Sequence, residues 1–336
     1  LKRMNERIAH RGPDCAGSVV DSSAAFAYRA LNLSANDRDC PSLIHRDGSL
    51  TIAFSGRLYN LRELGERLEA LGHKLDSSSM PADEAAVVVL AAYREYGAEL
   101  FGYLRGVFNF VVWDEENEIL FAARDFFGTR PFYYAPVAGG LVFASEIKSM
   151  LEHPAIDKVF NPDALASYLS FQYSVLAETF FKGIYRLEPG HYLTYEKGQV
   201  AKHRYYHFDL HSASDDSTGL EEWSDRIEEV MQESIKLHAT SDVEVGSFLS
   251  SGVDSSYVAA SFGGDKTFTV GFSNELYNEI TAAKALADKI GIDNYSQLIS
   301  PEDYWGIIPH AQYLMDEPLA DPAAIALYFV SRLASD

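Results

Sequence analysis

The nine residues Phe248-Leu249-Ser250-Ser251-Gly252-Val253-Asp254-Ser255-Ser256 restrict this chain more than any other segment. The apolar run Val243 to Leu249 predicts a strand, and the residues from Asp254 onward predict a helix. The hydroxyl-rich turn between them is then a strand-to-helix bend. At such a bend the first helical amides have no intrahelical acceptor, and the helix dipole presents its positive end. Both properties favour an anion, phosphate above all. Gly252 lets backbone approach that anion closely, while Ser250, Ser251, Ser255 and Ser256 supply hydroxyl donors. Asp254 has the wrong sign for a bare phosphate, and it fits once a hard cation such as Mg2+ bridges the two. The segment reads as a nucleotide pyrophosphate cradle with Asp254 as metal ligand. The competing reading is an ordinary Ser/Gly turn that caps a helix. No lysine-bearing P-loop pattern occurs in the chain.

The neighbourhood favours the cradle. A strand-like run, Thr267 to Phe272, follows at the spacing of a βαβ unit, and a helical pattern over Ala282, Ala283, Leu286, Ala287 and Ile290 comes next. Ligands of such sheets bind beyond the carboxyl ends of the strands, where this bend lies.

The first two thirds of the chain has a different rhythm. From Val19 to about Tyr206, short β-like runs alternate with polar turns: Leu50–Phe54, Phe108–Trp113, Ile119–Ala123, Phe132–Ala135, Leu141–Ala144 and His191–Tyr195. Helical stretches at Leu61–Leu71 and Ala85–Tyr96 interrupt them. Packed sheets flanked by helices are expected. Asp209–Gly219 is polar and aperiodic and serves as the linker. Beyond it Leu220, Trp223, Ile227, Val230, Met231 and Ile235 mark one face of an amphipathic helix.

At 336 residues, 47% of them hydrophobic, the chain has material for two cores. Its net charge of −21 argues against a nucleic-acid backbone or an anionic membrane as partner. The longest apolar run, Ala85 to Tyr93, is too short to span a bilayer. Cys15 and Cys40 are the two cysteines, expected as small packing residues, and no signal peptide is visible. A reducing, cytoplasmic setting is therefore expected. The chain opens at Leu1, and its last helical pattern, Ala323 to Leu333, runs to Asp336 without a cap. A longer parent protein is expected.

Taken in order, several short pieces resemble the glutamine-dependent asparagine synthetases. They are His10-Arg11-Gly12-Pro13-Asp14, Gly56 with Leu58-Tyr59-Asn60, Leu104 to Phe110, Arg124-Asp125 with Gly128, Arg130 to Tyr134, and Phe143 to Glu146. Ser241-Asp242-Val243, the Ser250–Ser256 bend, Phe268 to Phe272, and Asp316-Glu317-Pro318 through Pro322 complete the set. The resemblance implies an α/β and α+β chain of two domains. Residues 1–208 would form an N-terminal-nucleophile αββα sandwich, a glutamine amidotransferase domain. Residues 209–219 would link it to 220–336, an incomplete, doubly wound parallel-sheet ATP-pyrophosphatase domain. It further implies ATP and Mg2+ as cofactors, and aspartate with glutamine or ammonia as substrates. Aspartate would be activated as a β-aspartyl-adenylate with loss of pyrophosphate, and ammonia would displace AMP. A homodimer is left open. In this comparison the Val270 backbone, with Phe248 nearby, contacts adenine, and Asp316, Glu317 and Asp321 line the aspartate or metal side. Core packing for Val270 and Phe248, and a helix-opening turn for Asp316 and Asp321, are the competing readings.

The first domain departs from that pattern. The family's first-residue cysteine is absent, and neither Cys15 nor Cys40 has the free α-amine that such a nucleophile uses as its base. No catalytic residue is thus assigned in this half. The glutamine-binding candidates are Ser55, Gly56 and Asp83. Ser55-Gly56 stands where the family has Asn-Gly, Ala30 where it has a carboxylate-clamping arginine, and Asp83 is one position out of step. Helix capping is the competing reading for Asp83. Weak or absent glutaminase activity is expected. Three readings stay open: asparagine synthetase, a related adenylating amide-forming enzyme such as the β-lactam synthetases or lasso-peptide cyclases, and a non-catalytic homologue.

Overall fold

The computed structural model describes residues 1–32, 42–75, 84–209, 218–239, 243–273 and 278–336. The chain divides into two units, Leu1–Asp209 and Leu210–Asp336.

The first unit opens with α1 (Lys2–Arg7), β1 (Cys15–Val20), β2 (Ala25–Ala30), β3 (Ile44–Asp47) and β4 (Leu50–Leu58). Helices α2 (Leu61–Ala70) and α3 (Glu84–Tyr96) follow, then β5 (Gly106–Asp114), β6 (Ile119–Arg124), β7 (Tyr133–Val137) and β8 (Gly140–Ala144). It closes with α4 (Ile147–Met150), α5 (Pro162–Phe171), β9 (Tyr185–Arg186), β10 (His191–Glu196) and β11 (Gln199–Arg204). A six-stranded sheet runs β11-β10-β6-β5-β4-β3, beside a β1-β2 pair and a three-stranded β8-β7-β9 sheet. Every pairing within them is antiparallel.

The period-2 alternation of strands sorts the side chains into layers. Along β5, Phe108, Phe110 and Val112 pack with Leu64 and Leu68 of α2 and with Val88 and Val89 of α3. The alternate residues Val111 and Trp113 face the other way, onto Phe26 of β2, Phe132 and Tyr134. On β7 the alternation repeats, sending Tyr133 and Ala135 against Ile147 and Met150 of α4 and Met4 of α1. Helix, sheet, sheet and helix thus stack as the expected αββα sandwich. The strands predicted in this unit all form, several a residue or more longer, while the one predicted over Phe132–Ala135 begins a residue later, at Tyr133.

Cysteine usage differs from expectation. Cys15 is buried and disulfide-bonded, so it is not a free packing thiol. Cys40 lies outside the described residues.

The second unit comprises α6 (Leu220–Ala239), β12 (Ser247–Phe248), α7 (Val253–Phe262), β13 (Lys266–Phe272), α8 (Ile280–Ile290), β14 (Asp293–Ile299), α9 (Pro301–Met315) and α10 (Ala323–Ser335). Its sheet, β12-β13-β14, is parallel throughout. Leu249 packs with Ala259 of α7 and with Ala283 and Ala287 of α8. Ile299 packs with Ala311 of α9 and with Ile325 and Phe329 of α10, where Val270 and Phe272 join them. Helices therefore cover both faces, which is the doubly wound arrangement. Two expectations are corrected. The strand predicted over Val243–Leu249 shrinks to Ser247–Phe248, because among the described residues β12 pairs with β13 alone, at Thr267 and Phe268. Helix α6 forms, but of its predicted apolar face only Ile235 is buried, while Leu220, Trp223, Ile227 and Val230 are exposed.

Candidate functional site

The Ser250–Ser256 bend is built as the sequence requires. Leu249 follows the strand, its amide donating to the Phe268 carbonyl at 2.9 Å and its own carbonyl accepting from Thr269 Oγ1 at 2.8 Å. Helix α7 starts at Val253, with Gly252 as its N-cap. Gly252 has φ −74°, which any residue adopts, so glycine serves there by its small size. A Cβ would stand 3.2 Å from Ser250 Oγ.

The serines brace one another. Ser255 Oγ accepts from the Ser250 amide at 3.1 Å, lies 2.7 Å from Ser250 Oγ, and reaches the Gly252 carbonyl at 3.2 Å. Ser250 Oγ accepts from the Gly252 amide at 3.1 Å, and Ser256 Oγ donates to the Gly252 carbonyl at 2.7 Å. The amides of Ser251, Val253, Asp254 and Ser255 donate to no group among the described residues. Ser251, Val253 and Asp254 are exposed and Ser255 is half-buried, so the bend lies at the surface. Unbonded amides at a helix N-terminus are what a phosphate requires.

Asp254 is exposed beside them, and no ion pair or hydrogen bond holds it among the described residues. A hard cation needs an open carboxylate of this kind. No three His, Cys, Asp or Glu side chains converge into a metal cage among the described residues. The residues fit a cation held by Asp254 and phosphate oxygens together.

The remaining predicted positions fare unequally. The Val270 side chain packs against the α9–α10 face and its backbone pairs with Gln297, so the core-packing reading describes its side chain. Phe248 is exposed on the edge strand. Asp316, Glu317 and Asp321 lie between α9 and α10, on the opposite sheet face from α7 and α8. Asp321 Oδ1 accepts from the Ala323 amide at 2.9 Å, which gives it a helix-opening role. Asp316 ends α9 with φ 65°, a conformation that costs a non-glycine residue about 1–3 kcal/mol. Glu317 is buried.

In the first unit, Ser55 and Gly56 lie in β4 opposite Asn109 and Phe108. Gly56 has φ 154°, and a Cβ there would fall 2.1 Å from the Val107 carbonyl oxygen, so the close passage of β5 demands glycine. Ser55 is half-buried, and its hydroxyl has no partner among the described residues. Ala30 packs its backbone against Gly12, where a Cβ would meet Ala30 N at 2.3 Å. Arg29 turns to the other side of β2 and donates from Nε to the Asn5 carbonyl at 3.2 Å. Asp83 lies outside the described residues.

Other matching pieces carry structure. Arg124 is buried and donates to the carbonyls of Arg130, Leu187 and Gly128 at 2.7, 2.7 and 2.5 Å, and burial pulls its pKa down. Asp125, 1% exposed, accepts from the amides of Phe108, Phe127, Thr129 and Arg130. Gly128, at φ 66°, leaves space that a Cβ would take at 2.8 Å from Pro189 Cγ.

Two arrangements escaped the sequence reading. Glu146 is buried and gathers His10, Arg11 and Lys148 around one carboxylate, joining two of the matching pieces. Glu279, at the entrance of α8, accepts from Ser251 Oγ at 3.2 Å. An acid just before the helix that follows β13 was the available signal.

Two family models match the chain: glutamine amidotransferase domain over residues 1–206, and asparagine synthase over residues 226–336. Asparagine synthetase (glutamine-hydrolyzing) 1 of Bacillus subtilis is 37% identical, over 99% of this chain and 52% of its own length. A putative asparagine synthetase (glutamine-hydrolyzing) of Mycobacterium tuberculosis is 32% identical, over 99% of this chain and 53% of its own. The chain spans about half the length of these curated relatives. Among solved structures, a glutamine phosphoribosylpyrophosphate amidotransferase from B. subtilis aligns with TM-score 0.41 and 16% identity. It covers 87% of this chain and 61% of that one, a likeness too loose to argue from. By the match over its first 206 residues the chain belongs to the glutamine amidotransferase domain family, and it joins that domain to an asparagine synthase domain, the plan of the glutamine-hydrolysing asparagine synthetases.

Proposed function

We propose that the protein works in ATP-dependent amidation of aspartate. An aspartate carboxylate oxygen attacks the α-phosphorus of ATP, and pyrophosphate leaves with its bonding pair. Ammonia then adds to the acyl carbon of the β-aspartyl-adenylate, and AMP departs to leave asparagine. Residues 1–208 serve as the amidotransferase domain, 209–219 as linker and 220–336 as part of the synthetase domain. One observation carries the reading: four unbonded amides and an open carboxylate at the Ser250–Ser256 bend. The amides take the pyrophosphate, and the serine hydroxyls brace the bend that presents them. Asp254 holds Mg2+, which supplies charge neutralisation for the leaving group. Phe248 and Val270 border the adenine, and Asp316, Glu317 and Asp321 the aspartate side. The relatives' names support the same chemistry.

Equilibrium binding tests it. ATP should bind the full-length protein in a Mg2+-dependent manner, and Asp254→Ala should remove that dependence. Unchanged Mg2+ dependence in the variant refutes the assignment.

The amine donor is proposed to be free ammonia as much as glutamine. Arg29 is engaged with the Asn5 carbonyl, Ala30 has no clamp to offer, and Ser55 replaces a longer amide donor. Losing one such donor costs about 3 kcal/mol of transition-state stabilisation. Glutamate release from glutamine by the full-length protein should be slow; normal turnover would end this view. A cytoplasmic setting suits these substrates, and the disulfide at Cys15 is the observation against it.

A further inference from the structure

Glu279 immediately precedes α8 and is half-buried. Its position is fixed by the end of β13. A Cβ on Gly271 would lie 2.5 Å from Asn278 Oδ1 and 2.9 Å from Ile280 Cγ1, so residues 278–280 cross the strand's carboxyl end in direct contact. Asn278 Oδ1 accepts from the Ile280 amide at 3.1 Å and shapes that crossing. Glu279 is thereby carried to the neighbouring bend, where Oε1 accepts from Ser251 Oγ. Ser251 is the one partner of its carboxylate among the described residues, which leaves Oε2 open there.

A carboxylate in that place needs a reason. It repels a triphosphate, so it does not serve the phosphates directly. No third acid, histidine or cysteine joins it in a metal cage among the described residues. A strut for Ser251 needs no charge, since an amide oxygen would do. The nucleotide's sugar, however, brings hydroxyl donors, and an ionised carboxylate is purely an acceptor. In doubly wound sheets, an acid beyond the first βα turn takes a ribose hydroxyl in this manner.

We propose that Glu279 recognises the ribose of the bound nucleotide, accepting a hydrogen bond from a sugar hydroxyl while Ser251 steadies its other oxygen. The inference rests on the nucleotide reading of the Ser250–Ser256 bend. Glu279 is a binding and specificity residue, and it takes no part in bond making.

The test compares dissociation constants, by isothermal titration calorimetry with Mg2+, for ATP, 2′-deoxy-ATP, 3′-deoxy-ATP and pyrophosphate. The full-length protein is set beside Glu279→Ala and Glu279→Gln. The unsubstituted protein should prefer ATP to one deoxy analogue by roughly tenfold, and the analogue that loses affinity names the hydroxyl. Glu279→Ala should bind ATP about as weakly as the unsubstituted protein binds that analogue, and should no longer separate the two. Its pyrophosphate affinity should stay within about twofold, which also shows that the bend remains folded. Glu279→Gln, a neutral acceptor, should keep part of the preference. Equal affinities for all three nucleotides in the unsubstituted protein overturn the proposal, as does a preference that survives Glu279→Ala. Parallel loss of pyrophosphate affinity in Glu279→Ala overturns it as well, by making Glu279 a support for Ser251. Failure of the unsubstituted protein to bind ATP or pyrophosphate at all is a different result, which removes the nucleotide site itself.

Discussion

The bracing between Ser250 and Ser255 makes a quantitative demand on the proposed pyrophosphate site. Ser255 Oγ takes part in three contacts, with the Ser250 amide, Ser250 Oγ and the Gly252 carbonyl. Neutral hydrogen bonds contribute about 0.5–1.5 kcal/mol each, and the low end applies at this partly exposed bend. Ser255→Ala therefore loses about 1.5 kcal/mol of loop order that the ligand must restore, close to tenfold in affinity for Mg-pyrophosphate. Ser250→Ala breaks the same 2.7 Å hydroxyl contact and the bond from the Gly252 amide, and should cost a similar amount. The decisive quantity is the double variant. If the two serines act as one brace, the second substitution adds little, and the pair binds only about tenfold more weakly than the parent. Titration calorimetry with Mg-pyrophosphate on the four proteins supplies the cycle. An additive loss of roughly a hundredfold refutes the brace, because each hydroxyl would then be meeting the phosphate by itself.

Three further outcomes are expected in the first unit, where Trp113 is buried while Trp223 and Trp305 of the second unit are exposed, so tryptophan fluorescence during urea unfolding reports on the sandwich. Arg124→Met should destabilise it by about 3–4 kcal/mol, since three carbonyls lose a charged donor; a change below about 1 kcal/mol would contradict the structural role given to Arg124. Gly56→Ala should cost at least about 3 kcal/mol, because its Cβ meets the Val107 carbonyl head-on, and a near-neutral urea midpoint would show that β4 and β5 can separate there. Burial holds the pKa of His45 below its ordinary 6.5, so the unfolded chain takes up that proton first. Its contribution is therefore complete above 6.5 and is lost as pH falls through the folded-state value. Urea midpoints at mildly acidic and neutral pH should converge in His45→Gln relative to the parent, and an unaltered difference would rule out this histidine as its source.

Much of the architecture was readable from residue order because the signals were periodic. Alternation along Phe108–Trp113 and Phe132–Ala135 is the same alternation that sorts Phe110 from Val111 and Tyr133 from Tyr134 between layers. The bend at Ser250–Ser256 was readable because hydroxyls, glycine and an acid in a row admit few conformations. The extent of β12 was not, since an apolar run fixes propensity, whereas pairing depends on how much of β13 lies alongside. The same limit applies to α6, whose 3.6-residue period marks a face without stating what covers it. Glu279 went unread because its significance comes from Gly271, eight positions earlier, letting the chain cross the strand end. Arg124 and Asp125 show the converse: a motif recognisable in sequence turned out to hold backbone together.

The Asp125 carboxylate has a consequence for amide exchange with deuterated water. Residues 126–130 form a connecting segment by every local criterion, and Phe127 is exposed. Yet the Phe127, Thr129 and Arg130 amides are all pinned to one sequestered side chain, and that of Gly128 to the Asp125 carbonyl at 3.1 Å. This hairpin-like stretch should retain its protons as long as the central strands do, releasing them only when the whole sandwich opens.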